Sequence, residues 1–460
     1  MCFWNIGGLK SKGMDKTKDI LFMQSIEKYD LVFLAETQVG YDSGIKHIGQ
    51  FLYHLICRPV EKANNRYFGG LAILCKPYLK DCVKILKNTN PDYQWIKLEK
   101  SNFGFPKDLY ICVTYYPPVE SSYTKKLQID ILDSIEKDMA TYGKNGDFLI
   151  CGDFNARVGT NSDCIIQDDS KFLPLGDSYT TDKKILNRRN KDLKIDKRGR
   201  DLLDFCIGHQ LRILNGRILG DLLGNYTCYT PNGCSTVDYA IVSENVLESI
   251  LYFKVNNFLP TLSDCHCPIE WQMSASFMES VAKTETTKNS FPLRYIWSDD
   301  SAHAFQQALA SNKIQSFVSE FVSITSMNDD NSINTASEKL GNIFAQAAEM
   351  SLKKQKPRNK NKPKNPKWFN GNLQQLRQNL FSYGKVYTKY PKDPAVKNNF
   401  YKLYREYNKI RKSEKKSFRQ NLLKELETLH DDNPKKYWQL INELQGKSQN
   451  QDGNCISASD

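Results

Sequence analysis

Phe148-Leu149-Ile150-Cys151 is apolar without a break, and Gly152-Asp153-Phe154-Asn155-Ala156-Arg157 follows it at once. A short apolar run with neither alternation nor helical period reads as a strand buried on both faces. A chain built on such strands has to cover its sheets, which commits it to a layered α/β or α+β architecture. The strand also delivers a carboxylate and an amide to a sheet edge, where α/β enzymes present chemistry. An Asx turn would explain that ending alone, because Asp and Asn favour turns. The simpler reading loses ground as the same ending recurs along the chain.

Met1–Leu9 reads as a short apolar strand that breaks at Gly7-Gly8, with Asn5 at the break. Ile20, Met23 and Ile26 then recur at helical spacing. Leu31–Glu36 is another buried-type strand, and its final carboxylate is costly there unless paired or bound to a cation. Further strands are expected over Gly69–Cys75, Trp95–Leu98 and Leu109–Thr114, the last running into Tyr115-Tyr116-Pro117-Pro118. The two prolines stop it. Tyr115 reads either as core packing, the commoner role for an isolated Tyr, or as a phenol aimed at a phosphate. Helices are expected over Lys125–Tyr142 and Arg200–His209. Ser235–Val242 sets Asp238 within a strand, and Thr261–Trp271 holds Asp264 and His266 close together in another.

Asn5, Glu36, Asp153, Asn155, Asp238 and the Asp264/His266 pair thus lie in or near the ends of apolar strands. One such group is a turn; this many point to convergence on one site. Carboxylates without His or Cys pairs at zinc spacing suit a hard cation, Mg²⁺ or Mn²⁺. Phosphoester hydrolysis needs a cation to neutralise the phosphate and a base to activate water. It also needs a group to stabilise the pentacoordinate charge or the leaving oxygen. Carboxylates with one His supply all three, so the residues themselves read as a metal-dependent phosphoesterase.

Charge divides the 460-residue chain. Lys353–Arg419 holds 21 Lys and Arg against 3 Asp and Glu, a net of +18, which leaves −6 for all other residues of a chain carrying +12. A polyanion partner would explain the basic stretch; a solvated lysine-rich helical surface explains it equally well. The 13 cysteines are odd in number and lie mostly in apolar strands, which fits reduced thiols in an intracellular protein. Cys228, Cys234, Cys265 and Cys267 could be gathered into a zinc site, but no C-x-x-C pair supports one. No apolar run is long enough to cross a membrane, and Gly7, Gly8 and Lys10 come too soon for a signal peptide.

The strands and helices of 1–272 form one large domain, and the Ser/Thr/Lys-rich stretch 273–295 reads as a linker. A helical segment, 296–352, leads to a linker over 353–367, where three prolines and many lysines should keep the chain extended. Residues 368–460 are basic and mostly helical, with a disordered tail. Within them Tyr383, Tyr387 and Tyr390, and Phe400, Tyr404 and Tyr407, share faces that suit helix packing better than base stacking.

W-N-I-G-G-L (Trp4–Leu9), L-A-E-T-Q (Leu34–Gln38), Y-Y-P-P (Tyr115–Pro118), G-D-F-N-A (Gly152–Ala156), V-D-Y (Val237–Tyr239) and S-D-C-H-C-P-I (Ser263–Ile269) stand in this order. Together they resemble the endonuclease/exonuclease/phosphatase superfamily, and more narrowly the apurinic-type endonuclease domain of LINE-type (non-LTR) retrotransposons. P-K-W-F-N (Pro366–Asn370) and N-P-K-K-Y-W-Q-L-I-N-E-L (Asn433–Leu444) are similar to the connector that leads to the reverse transcriptase of such elements, and the polymerase itself is expected to be missing.

The resemblance implies a four-layer α/β sandwich over 1–272, two packed mixed sheets flanked by helices, followed by the basic helical connector. It implies that Glu36, aided by Asn5, holds Mg²⁺ (or Mn²⁺), with Asp264 beside the metal. Asp153 would position or deprotonate the attacking water, and Asn155 would orient it. His266 would contact the scissile phosphate, Asp238 would orient His266, and Tyr115 would hydrogen-bond a phosphate oxygen. The expected partner is DNA, nicked to leave a 3′-hydroxyl and a 5′-phosphate; element RNA is a second partner for the basic region, and the nucleus is the expected compartment.

Two features depart from the family. Cys265 separates Asp264 from His266, which are usually adjacent, so in a regular strand both side chains would share one face unless a bulge restores the geometry. The first strand also begins only four residues before Asn5, as in a truncated or decaying element. These features keep two alternatives open: a catalytically impaired nucleic-acid-binding remnant, and a small-molecule phosphatase, for which the basic arm has little use.

Overall fold

The computed structural model describes residues 1–11, 14–59, 67–88, 90–126, 130–144, 146–166, 182–183, 186–277, 295–297, 301–323, 330–354, 365–429 and 440–441. Two six-stranded sheets carry the architecture. The first runs in the order Ile250–Val255, Ile269–Met273, Cys2–Asn5, Leu31–Ala35, Leu71–Cys75, Leu52–Ile56. The second runs Leu211–Ile213, Asp238–Ser243, Gly146–Asp153, Asp108–Tyr115, Tyr93–Leu98, Val83–Ile85. Each sheet has one parallel pair at its centre, Cys2–Asn5 with Leu31–Ala35 and Gly146–Asp153 with Asp108–Tyr115. The other neighbours are antiparallel.

The unbroken apolar runs follow from burial on both faces. Phe3, Phe33, Val113, Leu149, Cys151 and Trp271 meet between the sheets. The alternate residues of the same strands point outward: Cys2 and Trp4 onto Phe22, Met23 and Ile26 of the Ile20–Ile26 helix, and Phe148 and Ile150 onto Ile135, Met139 and Cys206. Those last residues belong to the helices Ile131–Tyr142 and Lys197–Gly208. Period-two alternation with both faces covered leaves no position for a polar residue until the strand ends. The result is a helix–sheet–sheet–helix sandwich, as expected. The Lys197–Gly208 helix starts ahead of Arg200 because the Asp196 carboxylate caps it by accepting from Gly199 N–H.

Two expected strands are not formed as read. The one expected over Ser235–Val242 begins only at Asp238 and runs to Ser243. Thr261–Pro268 is loop, and the strand over Ile269–Met273 begins only after Pro268. The Ser263 hydroxyl accepts the His266 N–H and donates to the Asn5 carbonyl, which closes a turn where alternation had been expected.

The helices Gly371–Lys389 and Pro394–Leu429 belong to the same compact unit as the sheets, which comprises Met1–Ser280 and Asn361–Asp460. Asn370 caps the first of them, accepting from Leu373 N–H. Leu373, Leu380, Tyr387, Phe400 and Tyr407 are buried with Tyr229, Phe258 and Cys267, so these aromatics pack, while Tyr383 and Tyr390 remain exposed. Arg377 clamps the helix to the sandwich: its guanidinium donates to both oxygens of Asp19, at 2.7 and 3.0 Å, and to the Thr261 hydroxyl. Arg377 is 2 % exposed, and losing one partner of so buried a pair costs about 3–5 kcal/mol. Arg377→Met should lower the unfolding free energy by that order in a denaturant titration; a change under about 1 kcal/mol would mean the ion pair does not hold the helix.

The other unit, Val281–Lys360, contains the helices Ser301–Leu309, Asn312–Val322 and Asp330–Ser351, with Ala308, Ile314, Ile343 and Ala347 buried. A two-residue pairing joins Tyr295–Ile296 to Lys353–Lys354. Most of the two expected linkers, 278–294 and 355–364, and nearly all of the Asn433–Leu444 motif lie outside the described residues. The described cysteines are all free thiols. No described helix is long and apolar enough to cross a membrane.

Candidate active site

Strand register assembles the site. In the second sheet Asp153 pairs with Tyr115 on one side and with Asp238 on the other, so one row brings a phenol and two carboxylates to a common edge. In the first sheet Asn5 pairs with Ala35, and Glu36 is the next residue. The two edges meet: Asn5 Nδ2 donates to Glu36 Oε1 at 2.9 Å and to Asp153 Oδ2 at 2.8 Å. Gln38 Nε2 holds the other Glu36 oxygen at 3.2 Å. Gly152 is required for this register, since a Cβ there would stand 2.3 Å from the Thr114 carbonyl oxygen. Glu36, Gln38 and Asn155 leave their strands at φ of +50°, +51° and +45°. That backbone costs about 1–3 kcal/mol per residue and concentrates at functional sites.

His266 comes in from the loop. Its Nδ1 lies 2.9 and 3.0 Å from the two Asp238 oxygens, and its Nε2 lies 3.6 Å from Asp153 Oδ2. The Trp4 indole donates to the His266 carbonyl, and Ser263 ties the same turn to Asn5. Because the segment is a turn, Asp264 and His266 do not share a face. His266 is buried against Asp238, whereas Asp264 is exposed and stands over Gly7, where a Cβ would meet its carboxyl at 3.1 Å. The structure therefore gathers Asn5, Glu36, Tyr115, Asp153, Asp238 and His266, and sets Asp264 at the Gly7 turn beside Asn5. Asn155 adjoins the cluster, with its N–H on Asp153 Oδ1 and its Nδ2 on the Tyr116 carbonyl.

Electrostatics set these groups apart from ordinary surface residues. Burial pushes the Asp153 carboxyl well above the usual carboxylate range; Asp238 and Glu36 add to the shift, and His266 and Asn5 oppose it. Burial would lower His266, but Asp238, Asp153 and Cys265 outweigh it and hold the imidazolium well above the ordinary histidine range. Tyr115 is raised by burial and by the nearby Glu36 and Asp153. A phenol that keeps its proton is a hydrogen-bond donor.

Sequence reading missed the supports. Asn215 donates to the Asp238 carbonyl and accepts from Ala240 N–H, and the Thr227 hydroxyl accepts from the N–H groups of Val237 and Asp238. Both fix the strand start that carries Asp238. Arg58, buried and paired with Asp92, stacks its guanidinium at 5.2 Å from the Tyr115 ring. The turn sequence Asn215-Gly216 was a signal available for the first; nothing local marks the other two.

Glu36 and Asp153 share a single amide between two carboxylates, and Asp238 stands opposite. So crowded an oxygen-rich edge is the donor set that a hard divalent cation relieves. The residues present fit such an ion.

Residues 2–259 match the model of the Endonuclease/Exonuclease/phosphatase family, a range that ends before Asp264 and His266. No curated protein matches the chain significantly. Among solved structures, the 3′-5′ exonuclease NExo from Neisseria meningitidis is 14 % identical over 59 % of this chain and 98 % of its own, with a TM-score of 0.38. The endonuclease domain of TRAS1, a telomere-specific non-LTR retrotransposon, is 13 % identical over 59 % and 96 %, with a TM-score of 0.37. The Xenopus laevis APE2 catalytic domain is 15 % identical over 60 % and 91 %, with a TM-score of 0.41.

Proposed function

Because the chain belongs to the endonuclease/exonuclease/phosphatase family, whose members are hydrolytic nucleases or phosphatases, we propose that it is a divalent-metal-dependent DNA endonuclease of the LINE type. The observation that carries the reading is the meeting of Asn5, Glu36, Asp153, Asp238 and His266 at one edge of the two sheets. In this reading Glu36 and Asn5, with Asp264 nearby, hold Mg²⁺ or Mn²⁺. The ion, when bound, neutralises the scissile phosphate. Asp153 takes the proton of the attacking water, and Asn155 orients that water. The imidazolium of His266, held by Asp238, donates to the phosphate where charge accumulates. Tyr115, still protonated, donates to another phosphate oxygen. The new P–O bond forms as the bond to the 3′-oxygen breaks; that oxygen takes a proton from solvent, leaving a 3′-hydroxyl and a 5′-phosphate.

DNA rather than a small phosphoester is favoured by the basic helices docked on the sandwich, where Lys385, Lys389, Lys392, Lys402, Lys409 and Lys412 are exposed. Element RNA is a second polyanion for the same face, and the nucleus the compartment that DNA implies. Replacing Lys385, Lys389 and Lys392 with Gln should weaken DNA binding and flatten its salt dependence by up to about 0.9 log unit per lost phosphate contact. An unchanged slope would take these lysines off the phosphates.

The deciding test is conversion of supercoiled plasmid to open circle, with Mg²⁺ and with EDTA, followed by extension of the nick by a DNA polymerase. Metal-dependent, extendable nicks support the reading. DNA binding with no nicking would make the chain a binding remnant, and turnover of small phosphoesters without nicking would make it a phosphatase.

A further inference from the structure

An isolated bridge joins residues 228 and 266; the Tyr229 N–H donates to the Cys265 carbonyl at 2.8 Å, and the Cys267 N–H to the Thr227 carbonyl at 2.7 Å. This pairing brings two thiols beside an imidazole. The ligand atoms of Cys228, Cys265 and His266 all lie within 4.8 Å of one another. A tetrahedral zinc ion, with Zn–S near 2.3 Å and Zn–N near 2.0 Å, spaces its ligand atoms by about 3.5–3.8 Å. Side-chain movements of about 1 Å therefore close the three groups on an ion.

His266 already has the support that zinc-bound histidines need. Asp238 holds Nδ1 at 2.9 and 3.0 Å, which leaves Nε2 as the ligand; a carboxylate on the other ring nitrogen fixes the tautomer and raises ligand basicity. Two thiolates and an imidazole select a thiophilic ion and discriminate against Mg²⁺. Cys228 is buried and Cys265 half-buried, so the set is sheltered yet open on the Cys265 side.

We infer that Cys228, Cys265 and Nε2 of His266 form a binding site for a thiophilic divalent ion such as Zn²⁺, with a fourth position for water. Binding releases three protons to solvent, one from each thiol and one from Nε2 of the imidazolium. One consequence rests on the endonuclease reading: Nε2 is the atom that faces Asp153 Oδ2 at 3.6 Å, so an ion on it removes His266 from the phosphate. Zinc then inhibits from a site separate from the oxygen ligands of Mg²⁺.

The test is a Co²⁺ titration of the full chain, reduced and free of oxygen, read by thiolate-to-cobalt charge-transfer absorption. The expected result is such a band at one equivalent, bleached by Zn²⁺. The band should be lost in Cys228→Ser and in Cys265→Ser and kept in Cys234→Ser. Each loss should weaken zinc binding by more than the roughly 10–100-fold that an outer partner contributes. Absence of the band in wild type, or its survival in both variants, overturns the site. Mg²⁺-supported nicking is then measured with and without Zn²⁺, each protein against its own zinc-free rate. Wild type should be inhibited and Cys265→Ser resistant; equal inhibition of both overturns the consequence. A band without nicking in any protein leaves the site standing and removes the endonuclease reading instead.

Discussion

Asp153→Asn is expected to cut metal-dependent nicking by about 10³–10⁴-fold and, in metal-free buffer, to make the protein more stable. The first effect follows from removing a base that no neighbour replaces. The second follows from geometry. Asp153 is 1 % exposed, and Asp238 and Glu36 add like charge to the cost of its burial. The folded carboxyl sits above its unfolded value, so the folded state holds more protons. Stability of the wild type therefore falls as pH rises from the ordinary carboxylate range towards about 8, a decline the variant should lack. Near neutral pH the gain should be about 1–2 kcal/mol, typical of relieving an active-site conflict. Plasmid nicking and thermal unfolding with EDTA read the two effects. Nicking within ten-fold of wild type would remove Asp153 from the mechanism, and a lower Tm would show that its hydrogen bond from Asn5 and its ion pair with His266 outweigh the crowding.

Asp238→Asn should act in the opposite sense on stability while also removing activity. Asp238 is fully buried and makes both hydrogen bonds to His266 Nδ1. Replacing it leaves the imidazolium without its orienting carboxylate, which costs about 3–5 kcal/mol. Nicking should fall about 10²–10⁴-fold through loss of the positioned imidazole. The His266 imidazolium, raised in the wild type, stabilises the fold fully below the ordinary histidine value, and that contribution is lost as pH rises through the raised one. In the variant the ring should titrate at lower pH in NMR. An unmoved titration would show that Asp153 and Cys265 alone hold the proton. The pair of variants separates two carboxylates that flank one ring: one is a cost the site bears, the other its support.

Several elements were legible because their cause is local. Leu31–Ala35, Leu71–Cys75 and the apolar core of Gly146–Asp153 announce themselves by unbroken apolar runs, since strands covered on both faces leave no polar position. The strand ends at Asn5, Glu36 and Asp153 were legible for the same reason: a polar group that closes such a run needs a partner. Asp238, read as lying inside a strand over Ser235–Val242, instead opens the strand Asp238–Ser243. Of the strand expected over Thr261–Trp271 only Ile269–Trp271 formed, because Thr261–Pro268 is a turn closed by Ser263, through a hydrogen bond to Asn5 that no local period reveals.

The aromatic faces of the last helices were visible as faces, but not what covers them. Tyr387 and Phe400 turn out to rest on Tyr229 and Phe258, residues well over a hundred positions away. Local pattern was enough to set the layers and most of the residues at the strand ends, because burial writes its period into every few residues. Tertiary structure alone decided that Asn5 reaches Asp153 across 148 positions, that Asp264 and His266 part company, and that Cys228 meets Cys265. Those pairings depend on how two sheets and a loop close in space, and a local pattern carries no information about distance across the fold.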